Sequence, residues 1–277
     1  MPDIDLSKLV YRRCETLEEW EACVQLQEPI WELPMADQRH EARDPKGSVV
    51  PDVVPRHVYA AVMNAGGQCL GTFHPDGRLI AFSLAFVGRA RHSEQDESNQ
   101  VYLHSHMVGV LKQYRDYGIG TRLKWAQRDQ GIADGFDCMK WTFDPFQTRN
   151  ALVNIGKLGG VVRKFLPNFY GITSSRLHNS MPTDRLLVEW FWKSPVIQSL
   201  KEGRRRKPLS DGFELEVRPE YATIQSEREL VIGEFKNRIR DGWIVVDVTK
   251  IEDPKTAKPV GVTYILSRTV GKEYGLQ

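Results

Sequence analysis

Two histidines two residues apart, His104 and His106, precede an apolar run from Met107 to Leu111. That run has the composition of a strand, and residues two apart on a strand share a face. An imidazole ordinarily titrates near neutrality, which suits proton abstraction. Eleven residues after His104 stands Arg115-Asp116-Tyr117-Gly118-Ile119-Gly120, and Ile119, Leu123 and Ala126 continue at helical spacing. Two glycines at a strand-to-helix turn let backbone N–H groups approach an anion, and the helix N-terminus adds positive dipole. The expectation is a pyrophosphate seated on residues 115 to 121. A dinucleotide fold would start its G-x-G-x-x-G directly off the strand, whereas six residues intervene and the third glycine is missing. A Walker loop needs Gly-Lys-Ser/Thr, which the sequence lacks.

The elements that must position these residues follow from pattern. Residues 9–13 read as a strand. Thr16 and Glu19 form a capping box for a helix that Pro29 should end. Residues 32–54 read as a long loop, and a second helix starts at Pro55 in its first turn. Strands over 68–73 and 78–87 flank the turn His74-Pro75-Asp76-Gly77. A polar loop over 88–100 leads into the central strand and helix. Further on come a strand over 137–143, a helix over 147–158 ended by Gly159-Gly160, and strands over 161–166 and 184–192. Residues 213–277 add a strand (213–218), a helix (about 222–239) and strands over 242–249 and 260–267. This order predicts an α/β chain whose mixed, mostly antiparallel sheet carries helices on both faces. The expected division is a catalytic domain over 1–200, a basic linker or hairpin over 201–212, and a small C-terminal α/β extension over 213–277.

Composition narrows the function classes. The chain has 277 residues, enough for one large core or two small ones. At 41% hydrophobic and 27% charged it has the make-up of a globular protein. A formal net charge of +2 gives no basis for nucleic-acid binding. No apolar stretch approaches a membrane span, and the N-terminus lacks a signal-peptide core, so a cytoplasmic protein is expected. Cys14, Cys23, Cys69 and Cys138 have no paired spacing, so the expectation is buried free thiols, with no metal site and no disulfide.

The Arg115-x-x-Gly118-x-Gly120 turn resembles the coenzyme A loop of the GNAT acyltransferase superfamily. The segment QTRNALVNIGKLGG resembles the helix that follows in that superfamily, with Asn150, Lys157, Leu158 and Gly159 in matching places. LHSHMVGVL, LPNFYG and PTDRLLVEWFW resemble one branch, linked with N-acylamino acid racemase pathways and with N-succinyl transfer to D-amino acids. The superfamily resemblance covers roughly residues 9–192.

This resemblance implies a GNAT-like fold. It also implies acyl transfer from acetyl-CoA or another acyl-CoA to a primary amine, in a ternary complex without an acyl-enzyme. The implied cofactor contacts are Val108, Gly109, Val110, Gln113, Tyr114, Arg115, Tyr117, Gly118, Ile119, Gly120, Thr121, Asn150 and Lys157. Val108 to Val110 would offer free N–H groups to the pantetheine and the thioester. His104, ahead of His106, is expected as the base, and Tyr170 as an acid for the leaving thiolate. Asp116 departs from the pattern, standing where the loop's first glycine is usual. The tyrosine common near Ile155 is absent.

Plainer roles stand beside these: histidines hydrogen-bonded inside a sheet, Tyr170 as an aromatic plug, and His178 on the surface. Trp125, Trp190 and Trp192 are expected to pack, and Arg204 to Lys207 to be solvated. The rival functions are a non-catalytic acyl-CoA sensor and an acetyltransferase acting on a protein amine. The expected partners are acyl-CoA and a small-molecule amine, with neither nucleic acid nor membrane, and a homodimer is left open.

Overall fold

The computed structural model describes residues 4–31, 53–90, 101–171, 182–204, 206, 209 and 212–276. Most of the loop expected over 32–54, the greater part of that over 88–100, and His178 lie outside the described residues. The chain forms two compact units, residues 1–136 with 170–183, and residues 137–169 with 184–277.

In the first unit, strands β1 (Val10–Arg13), β2 (Gln68–Phe73), β3 (Leu79–Arg89) and β4 (Val101–Val110) lie side by side in that order, each antiparallel to the next. Helix α1 (Leu17–Trp31) starts at the expected capping box. Thr16 Oγ1 accepts from the Glu19 N–H at 3.2 Å, and Glu19 Oε2 accepts from the Thr16 N–H at 3.4 Å. Pro29 does not stop this helix, which runs two residues further. Proline removes a single N–H, and near a helix end that loss is absorbed. Helix α2 (Arg56–Asn64) takes Pro55 as its N-cap, not as its first residue.

Helices α1 and α2 press Cys23, Ile30, Tyr59 and Val62 onto Phe82 and Leu84. Helix α3 (Ile119–Ala133) puts Ile119 and Leu123 with Leu70, Ile80 and Ala81 in a second cluster. The sheet is therefore covered by helices on both faces, and β2 and the first half of β3 are buried throughout.

The second unit carries β5 (Cys138–Phe143), β6 (Val161–Leu166), β7 (Arg185–Phe191), β8 (Phe213–Val217), β9 (Ile244–Glu252) and β10 (Pro259–Ser267). Their spatial order is β5-β7-β6-β9-β10-β8, antiparallel throughout. The last three strands join the first three where Val162 meets Val245. Helix α4 (Thr148–Ala151) is one turn long and passes into a π-helical segment, Leu152–Lys157, where a regular helix was expected. Arg206 donates to the Ile155 carbonyl of that wide turn, and a Cβ added at Gly156 would stand 3.5 Å from the Val248 carbonyl.

Helix α5 (Pro195–Lys201) escaped the sequence reading. Its signal was Ser194-Pro195, and the Ser194 hydroxyl accepts from the Ile197 N–H at 3.4 Å. Helix α6 is Gln225–Arg240. Trp141, Trp190 and Trp192 stack edge to face at 5.9 and 6.0 Å, so Trp190 and Trp192 pack as expected. Among the described residues no helix is long and apolar enough to cross a membrane.

Candidate active site

Strand β4 carries an irregularity at the histidines. Ser105 lies opposite Ala85 and Met107 opposite Leu84, so His106 is one extra residue in β4. Such a bulge interrupts the ladder and re-aims the side chains around it. His104 lies opposite Phe86, and the His106 ring stands edge-on to the Phe86 ring with centroids 5.3 Å apart. The two imidazoles therefore flank one phenylalanine on a common face. Ser105 points the other way, to α3, where its hydroxyl takes a 2.7 Å hydrogen bond from the buried Lys124 amine. The free N–H groups expected at Val108 to Val110 are not found toward β3, where these residues keep regular partners, Ser83, Phe82 and Ala81. The break in that ladder is at His106.

Burial shifts both rings. It lowers His104 to about 4, helped by the neighbouring His106 and Lys124 charges. It lowers His106 as well. Removing an imidazolium from water disfavours the charged form, so both rings are neutral at pH 7. His104 is half-buried and His106 exposed.

Beyond β4 the chain makes a 3-10 turn, Lys112–Tyr114, and then two left-handed residues, Asp116 (φ 71°) and Gly118 (φ 76°). Aspartate tolerates that region better than most side chains do, which explains how it replaces a glycine there. Gly118 is the N-cap of α3 and offers no side-chain cap. The Arg122 N–H makes the first helical bond, to the Gly118 carbonyl at 3.0 Å. The N–H groups of Ile119, Gly120 and Thr121 precede it and have no acceptor within the helix. N–H groups placed like this, reinforced by the helix dipole, can receive an anion. A Cβ added at Gly120 would meet only Val110 Cγ2, at 3.6 Å. That glycine is thus not demanded by the packing of the protein itself.

The remaining loop residues divide by role. Arg115 donates through Nε to the Val110 carbonyl at 3.1 Å and through Nη2 to the Ile30 carbonyl at 2.7 Å. It ties the end of β4 to the end of α1. Tyr114 and Ile119 are buried in the α3-facing cluster, and Tyr117 packs against it. These three position the turn by their side chains, while Gln113 is exposed. Gly109 lets α1 close on β4, because a Cβ there would stand 2.8 Å from Ile30 Cδ1.

Tyr170 belongs to the first unit and is 43% exposed. Its N–H donates to Thr183 Oγ1 at 2.9 Å. Asn150 and Lys157 belong to the second unit and are exposed. The Asn150 amide donates to Gln147 Oε1 at 2.5 Å.

Arg206 differs from expectation. Its side chain is buried, not solvated, and its guanidinium donates to the Ile155 and Val246 carbonyls and pairs with Asp247 at 3.3 Å. Nothing local in the basic run marks Arg206 out for this. Its carbonyl partners lie 40 and 51 residues away.

No protein-family model and no curated protein matches the chain. Solved structures resemble it over about two-thirds of its length. One is the acetyltransferase of GNAT family from Streptococcus pneumoniae, at 13% identity and a TM-score of 0.46, covering 66% of this chain and 99% of that one. A second is Arabidopsis thaliana NAA60 with a bisubstrate analogue, at 15% and 0.47, covering 66% and 98%. A third is the phosphinothricin acetyltransferase from Sinorhizobium meliloti with AcCoA, at 12% and 0.46, covering 66% and 87%. Likeness at this level carries no argument about chemistry, which rests on the residues described above.

Proposed function

We propose that the chain is an acyl-CoA-dependent N-acyltransferase of the GNAT kind, acting on the primary amine of an amino acid or other small metabolite. The observation that carries this reading is the β4–α3 turn. A strand interrupted at His106 runs through two left-handed residues into a fifteen-residue helix whose first three N–H groups have no acceptor within the helix. A pyrophosphate on Ile119, Gly120 and Thr121 would lay the pantetheine back along β4. Backbone N–H groups of β4 would then polarise the thioester carbonyl.

The amine arrives as an ammonium and loses a proton, directly or through water. Of the two histidines, His106 is now the better acceptor. It is the more exposed residue and sits on the bulge, and although burial lowers both rings, His104 falls to about 4. The freed amine attacks the thioester carbon, the C–S bond breaks, and the thiolate takes a proton, for which Tyr170 is the proposed donor. All four cysteines are buried, which agrees with direct attack and no acyl-enzyme. Asn150 and Lys157 keep the coenzyme A contacts that the resemblance implies, as part of this proposal. A cytoplasmic site of action fits an acyl-CoA substrate.

The test is a thiol-release screen of acetyl-CoA and succinyl-CoA against D- and L-amino acids and polyamines, run with calorimetry of coenzyme A. Turnover is expected with at least one pair. Gly120→Val should abolish coenzyme A binding with an unchanged circular dichroism spectrum. Undiminished affinity in that variant would remove the anion site from α3. Coenzyme A binding without turnover of any pair would favour a sensor.

A further inference from the structure

Cys14 follows β1, Cys23 lies on α1 and Cys69 on β2, and the fold brings all three together. Cys23 Sγ stands 3.9 Å from Cys14 Sγ and 3.8 Å from Cys69 Sγ, and the three sulfurs lie within 4.8 Å of one another. None of the three residues has any exposed surface. Their backbone is fixed. The Cys14 N–H donates to the Cys69 carbonyl at 2.9 Å, and the Trp20 indole donates to the Cys14 carbonyl at 2.8 Å. Gly71 leaves room beside them, since a Cβ there would fall 2.9 Å from Cys14 Sγ. Phe73, Leu79, Phe82 and Leu84 belong to the same cluster.

We propose that Cys14, Cys23 and Cys69 form a three-sulfur site for a single soft metal ion, and that the ion is monovalent copper. With metal–sulfur bonds of about 2.3 Å, sulfur separations of 3.8 and 3.9 Å correspond to S–metal–S angles of roughly 111–116°. Those two angles lie between the tetrahedral angle and the 120° of planar three-coordination, so the choice of ion rests on the number and kind of ligands. Zinc in a closed site takes four ligands. Among the described residues no fourth histidine, cysteine or carboxylate joins the group. Calcium and magnesium require oxygen ligands, whereas all-thiolate sets select soft ions such as Cu(I). On binding, three S–H bonds break, three Cu–S bonds form, and three protons leave to solvent. Copper stays monovalent, so no oxidant enters. The ion would cross-link β1, α1 and β2 on the strand-and-helix side away from α3.

The probe is copper(I) presented to the reduced full chain, without oxygen, from a chromophoric chelator. The chain is expected to withdraw one equivalent, to show sulfur-to-copper charge-transfer absorbance, and to melt at a higher temperature. X-ray absorption should find only sulfur neighbours. Outer-shell changes alone cost metal affinity 10–100-fold, so replacing a ligand should weaken binding by at least about tenfold. That loss is expected for Cys14→Ala, Cys23→Ala and Cys69→Ala, and not for Cys138→Ala. Each folded variant should melt at its own temperature and lose the copper-induced rise. Should the variants not fold, the sulfur count of the wild-type chain decides. Zinc(II) should leave the melting temperature unmoved. The proposal is overturned if the wild-type chain withdraws no copper. It is also overturned by nitrogen or oxygen neighbours at the copper, by unchanged affinity in the double Cys14/Cys69 variant, or by zinc binding through the same cysteines.

Discussion

His104 and His106 differ in what their surroundings permit. Both rings flank Phe86, but one is half-buried and the other sits on a bulge at the surface. Removing a general base costs about 10²–10⁴-fold in rate. His106→Gln is therefore expected to lower kcat/KM within that range at pH 7, while the acyl-CoA dissociation constant stays put. His104→Gln should cost less, because a ring lowered to about 4 is a poor acceptor from an ammonium. For the same reason the acidic limb of the wild-type profile should lie below 6.5, not at neutrality, as both rings are shifted down. A limb at neutral pH that survives both substitutions would assign deprotonation to another group.

Between β4 and α3 the decisive quantity is backbone conformation. Asp116 and Gly118 both turn left-handed, and only one of them is a glycine. The left-handed helical region costs an ordinary L-residue roughly 1–2 kcal/mol, less for aspartate. Asp116→Gly should hold the same turn with less strain and with one carboxylate fewer near the proposed phosphates. Coenzyme A affinity is expected to stay level or rise slightly, as read by calorimetry. A large loss would mean that the Asp116 carboxylate itself organises the turn. Gly118 is the harder position to replace, because any side chain there combines the positive φ with the N-cap of α3.

For the molecule as a whole, burial of His104 couples folding to pH. Its value falls from 6.5 to about 4 on folding, so between these values the unfolded chain binds more protons. Stability must then rise with pH across that window and be lost as pH falls through it. Urea unfolding of the wild type at pH 7 and pH 5 should show this loss. His104→Gln, which cannot titrate, should show a smaller one. Equal pH dependence in both chains would mean that the ring is as solvated folded as unfolded.

Most of the element order was legible in the sequence because its signals are local. Thr16 and Glu19 cap α1 with groups three residues apart, and the turn His74-Pro75-Asp76-Gly77 between two apolar runs reports the strand pair β2 and β3 through its own residues. The Gly118 turn was legible for the same reason, since few residues accept a positive φ. Contacts between distant residues were not legible. The bulge at His106 is a matter of register between β3 and β4, and register depends on how a whole strand buries its face. Arg206 became a buried clasp on a π-helical turn 51 residues away, although its neighbours in sequence read as a charged linker. The three cysteines stand 9 and 46 residues apart and show no spacing motif. They meet because β1 pairs with β2 and α1 sets Cys23 against Cys14 and Cys69, a geometry set by packing and not by any one stretch of chain.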